Sequence, residues 1–187
     1  RSSGGTIMYD VIYADPPWKY RQQRPGGMNN AADHYDVMSL EDIAALPEWK
    51  LLNKPGVVFM WTTSPLLEES MELGKMLGLH YRGIEFVWVK TKKDGSPMGA
   101  AGVRPSIVKP LTELVLGFSN KRTGRPLPLA SESVVQTVFA PKREHSRKPD
   151  EVAERIESLY PSASKLEMFA RTTRPGWDVF GNEVGKF

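Results

Sequence analysis

Short apolar runs alternate along this chain with segments that carry helix start and stop signals. Runs continuous in Val, Ile, Leu and aromatic residues are typical of strands that a sheet buries on both faces. Such runs predict strands over 9–14, 56–62, 84–90, 111–118, 134–139, 166–169 and 177–180. Because these strands alternate with helical segments, the pattern predicts an α/β fold with a doubly wound, mostly parallel sheet.

Three helices are predicted from the residues that cap and stop them. Ser39-Leu-Glu-Asp42 is a capping-box pattern, Ser64-Pro65 supplies an N-cap with a proline at the first helical position, and Pro149-Asp-Glu opens a third helix. Their expected ends are Leu46, the neighbourhood of Gly78 and the residues before Pro161. These helices provide the connections that parallel strands need.

Polar stretches rich in Gly, Pro, Asn and basic residues separate these elements at 19–36, 91–107 and 120–131. No repeat, low-complexity tract or linker-like segment divides the chain. We therefore expect a flexible tail or cloning remnant over 1–6 and a single domain over 7–187.

The first predicted strand delivers Asp15-Pro16-Pro17-Trp18 to its carboxyl end, the edge at which such sheets bind ligands. This combination suits chemistry on the exocyclic amine of a flat base, whose lone pair is delocalised and weakly nucleophilic. The Asp15 carboxylate could accept one N–H and the rigid Pro16 carbonyl the other, while the Trp18 ring holds the base by its face. A strand end followed by a Pro-Pro turn and a buried tryptophan explains these four residues equally well.

Composition narrows the function classes. The chain of 187 residues has no cysteine, which excludes disulfides and thiolate metal sites, and no His/Asp/Glu spacing typical of a metal site, so no metal is expected. It has no apolar run near the roughly 18 residues that a membrane span needs and no signal-peptide pattern, so we expect a cytoplasmic protein without a membrane partner.

A net charge of +3 fits a polyanionic partner, although many proteins without one are equally basic. The distribution of charge is more informative than the total. Four basic clusters are candidate phosphate contacts around a site, although each alone could be a solvated loop: Lys19, Arg21 and Arg24; Lys90, Lys92 and Lys93; Lys121, Arg122 and Arg125; and Lys142, Arg143, Arg147 and Lys148.

Several motifs follow one another in a specific order. They are Ala14-Asp-Pro-Pro-Trp18, His34-Tyr-Asp-Val-Met-Ser39, Val58-Phe-Met-Trp61, Phe86-Val-Trp-Val-Lys90, Glu113-Leu-Val-Leu-Gly117, His145-Ser-Arg-Lys-Pro-Asp150, Lys165-Leu-Glu-Met-Phe-Ala-Arg171 and Trp177 through Asn182. In this order the chain resembles the adenine-N6 methyltransferases of the permuted class, which begin with DPPW and carry the S-adenosylmethionine half last. The resemblance implies a Rossmann-like methyltransferase fold with S-adenosylmethionine as cofactor.

The resemblance also implies roles for individual residues. Catalytic positions are Asp15, Pro16, Pro17 and Trp18. Cofactor-binding positions are Asp15, Lys148, Glu167, Phe169, Arg171, Thr173, Asn182 and Glu183. For substrate binding the resemblance implies Trp18, and the loops 19–36 and 90–107, which are expected to flank the site, add Arg21, Arg24, Tyr35 and Lys90 as candidate substrate contacts.

Two positions depart from the family pattern, since Glu183 stands where Gln is common and Thr173 where some relatives carry His. For two others a simpler explanation exists: Lys148 could merely begin a helix, and Asn182 could merely form a turn. Glu167 is more telling, because a carboxylate inside an apolar strand must find partners, for which ribose hydroxyls or Arg171 would suit.

The family includes eukaryotic mRNA methylases and bacterial or phage DNA methylases. We expect a methyltransferase acting on adenine in nucleic acid, with DNA favoured over RNA and a bacterial or phage setting. The alternatives are an RNA adenine methylase, a non-catalytic partner subunit, or methylation of another amine such as cytosine or glutamine. A homodimer or a second subunit of the same fold is compatible with the sequence.

Overall fold

The computed structural model of this chain describes residues 5–19, 37–98, 107–108, 110–145, 147–181 and 184–185. The strands in these residues are β1 (Tyr9–Ala14), β2 (Leu52–Thr62), β3 (His80–Thr91), β4 (Thr112–Ser119), β5 (Thr137–Pro141), β6 (Lys165–Met168) and β7 (Asp178–Phe180). The helices are α1 (Leu40–Ala44), α2 (Leu67–Met76) and α3 (Asp150–Leu159), with 3₁₀ turns at Pro47–Leu51 and Ser64–Leu66. None of the helices in the described ranges is long and apolar enough to cross a membrane.

The strands form one sheet in the order β5-β3-β4-β2-β1-β6-β7. Only β4 runs against its neighbours, and the pairs β1 with β2, β1 with β6, β3 with β5 and β6 with β7 are parallel. The predicted α/β fold with a mostly parallel sheet is therefore confirmed.

Helices cover both faces of the sheet, as a doubly wound fold requires. On β2, Val57, Phe59 and Trp61 belong to a buried cluster that includes residues of α3. Val58 and Met60 point the other way, into a cluster that includes residues of α1 and α2. Both sets are almost fully buried, which explains why the strand is a continuous apolar run instead of an alternating one.

The chain changes direction across the sheet between β1 and β6. From β1 the chain continues through α1 to β2 on one side, whereas β6 is reached through α3 and continues to β7 on the other. The two strands are in register, with Ala14 opposite Met168. Ligands of open α/β sheets bind in the crevice outside the carboxyl ends at such a point. Asp15 follows β1 directly at this crevice.

The capping prediction for α1 is confirmed, since the Asp42 N–H donates to the Ser39 hydroxyl at 3.1 Å. The prediction for α2 is wrong in detail. Ser64 lies inside a 3₁₀ turn, and α2 begins at Leu67 without a side-chain cap. Pro65 lies in the first part of the 3₁₀ turn, where its missing N–H costs no hydrogen bond. The α-helix therefore begins only after this turn, at Leu67.

Several strand boundaries also differ from prediction. β3 begins at His80 instead of residue 84, because its polar first half pairs with the end of β4, where His80 lies opposite Ser119. β5 starts at Thr137 instead of residue 134. β6 stops at Met168 because Phe169 adopts a φ of 60°, a left-handed conformation that ends a strand.

Candidate active site

The Asp15-Pro16-Pro17-Trp18 segment is held in one shape by hydrogen bonds around Trp18. The Trp18 backbone N–H donates to the Pro16 carbonyl at 2.9 Å, which closes a three-residue turn. The Trp18 indole N–H donates to the Trp61 carbonyl at 3.3 Å, and the Met38 N–H donates to the Pro17 carbonyl at 3.0 Å. The indole is therefore tied to the end of β2, and its orientation is set before any ligand arrives.

Asp15 belongs to a cluster of four charged side chains at the carboxyl edge of the sheet. The Lys148 ammonium lies 2.8 Å from Glu113 Oε1 and 3.7 Å from Asp15 Oδ2. The Lys90 ammonium lies 3.1 Å from Glu113 Oε2. We call Asp15, Lys148, Glu113 and Lys90 the ionic cluster. Its side chains are 13% to 27% exposed, so the charges balance one another in a poorly solvated place.

Burial raises the pKa of Asp15 above its usual 3.8, and the positive charge of Lys148 offsets only part of that effect. Burial would also raise the pKa of Glu113, but the ammonium groups of Lys148 and Lys90 outweigh it and hold that pKa below 4.5. For Lys148, burial lowers the pKa, while Asp15 and Glu113 raise it by more, to a value above 10.5. Lys148 therefore stays a cation at neutral pH, and Asp15 is a weaker acid than an ordinary aspartate.

Two tryptophans support the lysines of the ionic cluster. The Lys148 ammonium lies 5.3 Å from the ring centre of Trp61, and the Lys90 ammonium lies 5.1 Å from that of Trp88. The two rings meet edge to face with centroids 6.1 Å apart. The Trp61 indole N–H donates to the hydroxyl of Tyr13 at 2.6 Å. Each lysine thus rests on an aromatic face whose position is fixed by packing.

A second charged network ties the Lys148 segment to β6. Arg174 donates from Nε to Glu167 at 3.1 Å and pairs through Nη1 with Asp150 at 3.1 Å. Arg143 pairs with the other oxygen of Asp150 at 3.0 Å and donates to the Lys148 carbonyl at 2.7 Å. The partner of Glu167 is thus Arg174 and not Arg171, which is where the expectation from sequence needs correction.

Two cavities meet at Asp15 and share Trp61, Lys148 and Arg171 as walls. The DPPW cavity, of about 340 Å³, is lined by Asp15 to Trp18 together with Thr63, Glu113 and Lys148, among others. The Glu167 cavity, of about 40 Å³, is lined by Tyr13, Asp15, Asp150, Glu167 and Arg174, among others. Asp15 therefore lies between a pocket with aromatic and proline walls and a narrow pocket with charged walls.

The structure brings most of the described residues predicted for the site to this edge. Asp15, Pro16, Pro17, Trp18, Lys148, Glu167 and Arg171 line one or both cavities, and Lys90 contacts Glu113. Phe169 and Thr173 line neither: the Phe169 ring packs 6.5 Å from that of Trp49, and Thr173 is exposed beside Thr172, which does line the Glu167 cavity. Five predicted positions lie outside the described residues, namely Arg21, Arg24, Tyr35, Asn182 and Glu183.

Sequence reasoning assigned no role to Glu113, Tyr13, Trp61 or Arg174. Glu113 carried a usable signal, because it is a carboxylate at the start of an apolar strand, the same feature that singled out Glu167. Arg174 carried none, since it lies in a polar loop among other basic residues. Within the described part of the chain, no group of three His, Cys, Asp or Glu side chains is placed to hold a metal ion.

One basic cluster is wrongly placed by the sequence argument. Lys121, Arg122 and Arg125 follow β4, which runs antiparallel, so they lie at the opposite edge of the sheet from Asp15. Arg143 and Lys148 are engaged in ion pairs. Lys92 and Lys93, in contrast, follow the carboxyl end of β3 and are exposed at the edge that carries the site.

Comparison with known proteins was consistent with this geometry. A family model described as MT-A70 matches residues 9–183. The Mycoplasma protein "Type II methyltransferase M.MunI" is 30% identical over 94% of this chain and 78% of its own length. The human "N(6)-adenine-specific methyltransferase METTL4" is 28% identical over 96% of this chain and 38% of its own length.

A third relative is the human "N(6)-adenosine-methyltransferase catalytic subunit METTL3", which is 26% identical over 94% of this chain. The chain spans only 28% of that protein, and 38% of METTL4, so it corresponds to one part of each. The match to the family model covers nearly the whole sequence and includes every residue of the ionic cluster. The chain therefore belongs to the MT-A70 family of methyltransferases.

Proposed function

We propose that this chain transfers a methyl group from S-adenosylmethionine to the N6 amine of adenine in DNA. The observation that carries the proposal is the position of Asp15. Its carboxylate lies at the crevice between β1 and β6, 3.7 Å from the partly buried Lys148 ammonium and on the wall of a cavity formed by Pro16, Pro17 and Trp18. The Asp15 carboxylate can thus accept a hydrogen bond from an amine, and the proline and tryptophan wall beside it can contact the face of a flat ring.

The side chains of the DPPW cavity can hold the amine in a reactive orientation. The Asp15 carboxylate accepts one N–H of the amine. The Pro16 carbonyl already accepts the Trp18 N–H, but its second lone pair is available for the other N–H. The hydroxyl oxygen of Thr63 is buried in the same wall and has no hydrogen-bond partner among the described residues, so it offers a further contact for the edge of the base.

The residues around Asp15 fit a nucleoside cofactor with charged ends. Glu167 and Asp150 are carboxylates that accept hydrogen bonds from hydroxyl or ammonium groups, and Lys148 and Arg171 are cations suited to a carboxylate. When bound, S-adenosylmethionine supplies an electrophilic methyl on a sulfonium and keeps the electron pair of the broken S–C bond. Lys148 lines both cavities, so it can contact this ligand while it holds Asp15.

Rate enhancement comes mainly from alignment. Fixing the amine and the methyl in a near-attack arrangement is worth roughly 7–11 kcal/mol in well-oriented systems. The amine nitrogen forms the new N–C bond with its lone pair, and one N–H proton must then leave. Because burial raises the pKa of Asp15, its carboxylate accepts this proton more readily than an ordinary aspartate.

DNA is favoured as the substrate for two reasons. Of the three relatives described above, the type II methyltransferase shares the highest identity and is covered over most of its own length. Lys92 and Lys93 are exposed at the edge of the sheet that holds the proposed site, where they can contact phosphates. A base inside a duplex would have to be extruded to reach Asp15.

The proposed function is tested by incorporation of tritiated methyl from S-adenosylmethionine into duplex DNA, single-stranded DNA and RNA with the same adenine contexts. We expect N6-methyladenine in DNA, and a loss of at least about 100-fold in rate for Asp15→Asn, which keeps the shape but removes the carboxylate. A clear preference for RNA would overturn the choice of DNA. Cofactor binding without transfer to any of the three would favour a non-catalytic partner subunit, and Asp15→Asn activity within a fewfold of wild type would refute the assigned role.

Two isosteric substitutions in the ionic cluster should change stability in opposite directions at pH 7. The raised pKa of Asp15 means that its ionised form destabilises the folded state above that pKa, so Asp15→Asn should leave the free energy of unfolding equal or higher. The lowered pKa of Glu113 means that its ionised form stabilises the folded state, so Glu113→Gln should lower that free energy by about 1–3 kcal/mol.

The check is urea unfolding of both variants and the wild type between pH 7 and pH 3. The stability that Glu113 contributes is present above 4.5, its usual pKa, and is lost as the pH falls through the lower value of the folded state. The difference between wild type and Glu113→Gln should therefore shrink in acid. Equal destabilisation by both substitutions at pH 7 would contradict the charge arrangement described here.

The exposed lysines at the end of β3 should contribute to DNA affinity. Replacing Lys92 and Lys93 together by Ala should weaken duplex binding and reduce the slope of log affinity against log salt by about 0.9 for each lost phosphate contact. The matched control is the double substitution Lys121→Ala with Arg122→Ala, which removes the same charge at the opposite edge of the sheet. Affinity for S-adenosylmethionine should stay unchanged in both. Equal slopes for the two double variants would place the DNA elsewhere.

A further inference from the structure

The hydroxyl of Tyr13 is buried in an unusual situation. Tyr13 is 3% exposed, and its oxygen accepts a hydrogen bond of 2.6 Å from the Trp61 indole N–H. Among the described residues, no oxygen or nitrogen accepts the proton that Tyr13 itself carries. A buried donor without an acceptor is costly, and native proteins rarely leave one unless a ligand or water uses it.

The position of this donor is informative. Tyr13 is the last residue but one of β1, and it lines the Glu167 cavity with Asp15, Glu167 and Arg171. Burial and the neighbouring carboxylate of Glu167 raise the pKa of Tyr13 far above its usual 10, so the phenol stays protonated. Its hydroxyl is thus a donor at every physiological pH and not a base.

The Trp61 indole N–H restricts where this proton can point. One lone pair of the phenol oxygen is taken by Trp61, so the hydroxyl proton is directed away from the indole. The Tyr13 ring is held on its other side by Trp177, whose ring centre is 5.8 Å away. Both contacts are buried, which fixes the phenol before a ligand enters.

We propose that Tyr13 is a further cofactor-binding residue, whose hydroxyl donates a hydrogen bond to an oxygen of the nucleoside cofactor in the Glu167 cavity. The inference rests on the proposed function and extends it. The acceptor is a ribose hydroxyl or the carboxylate of the amino-acid end, since these are the oxygen atoms that such a cofactor carries close to its sulfonium. Trp61 positions the phenol of Tyr13 and is also a wall of both cavities.

Trp61 also connects this contact to the ionic cluster. Its N–H is held by Tyr13, and its ring face carries the Lys148 ammonium at 5.3 Å. The Trp61 indole therefore orients the Tyr13 hydroxyl in the Glu167 cavity. It also supports the ammonium of Lys148, which pairs with Asp15 beside the DPPW cavity. Substituting Tyr13 should affect cofactor affinity first and transfer rate second.

The test is calorimetric titration of S-adenosylmethionine into wild type, Tyr13→Phe, Trp61→Phe and the double variant. Loss of one hydrogen bond should raise Kd about fivefold to tenfold in Tyr13→Phe. Trp61 holds the phenol that Tyr13→Phe removes, so the two effects should not add. The Kd of the double variant should stay within about twofold of the Kd of the weaker-binding single variant, whereas independent effects would raise it further. Tyr160→Phe is the control, since Tyr160 is a buried tyrosine in the same core cluster as Tyr13 but lines neither cavity. The Kd of this variant should equal that of wild type.

The outcomes separate the inference from the function on which it rests. If wild type does not bind S-adenosylmethionine, the proposed function fails. If wild type binds and Tyr13→Phe binds equally well, the inference is overturned while the function stands. If Tyr13→Phe does not fold, 3-fluorotyrosine at position 13 decides, because fluorine makes the hydroxyl a stronger donor and leaves Trp61 and Lys148 in place: a changed Kd supports the inference and an unchanged Kd overturns it.

Discussion

One ammonium between two carboxylates organises this site. Lys148 lies 2.8 Å from Glu113 and 3.7 Å from Asp15, in a place where each charge alone would be strongly unfavourable. Asp15 comes from the end of β1 and Glu113 from the second residue of β4, a strand that runs in the opposite direction. The reversed strand is what brings a carboxylate from its amino end to the edge where the parallel strands finish. Among the residues that the structure describes, this reversal supplies the second carboxylate beside Lys148 and the ion-pair partner of Lys90.

The same surroundings stabilise the ionised form of Glu113 and destabilise the ionised form of Asp15. Glu113 has two lysines and an acid strength above that of an ordinary glutamate, whereas burial makes Asp15 a weaker acid than an ordinary aspartate. A carboxylate that is ion-paired but disfavoured by its burial can gain from a ligand, and natural proteins accept such a loss of stability at functional sites. Glu113 and Lys148 therefore hold the site in place, and Asp15 is the side chain that would accept a hydrogen bond from a substrate amine.

The sequence alone predicted the parts of this arrangement that are local. β1, the cap of α1 and the order of strands and helices follow from apolar runs and from Ser39, and Asp15 to Trp18 stood out because they follow such a run directly. The parts that depend on distant pairing were missed. The antiparallel direction of β4 cannot be inferred from its own residues, and it is this direction that gives Glu113 its role and sends Lys121, Arg122 and Arg125 to the wrong edge. Arg174 was missed for the same reason, since only the fold brings it to Glu167 and Asp150.

In the proposed mechanism Asp15 is an ionised acceptor whose pKa is raised by burial, lowered by Lys148 and raised further by Glu113. This role is tested by the pH dependence of single-turnover methyl transfer into duplex DNA at saturating S-adenosylmethionine. The account predicts a rate that falls in acid with an apparent pKa above 3.8, the usual value of an aspartate. Glu113→Gln removes a negative charge that raises the pKa of Asp15, so it should move this limb to lower pH, and Lys148→Met should move it to higher pH. An acid limb that neither substitution moves would contradict the account.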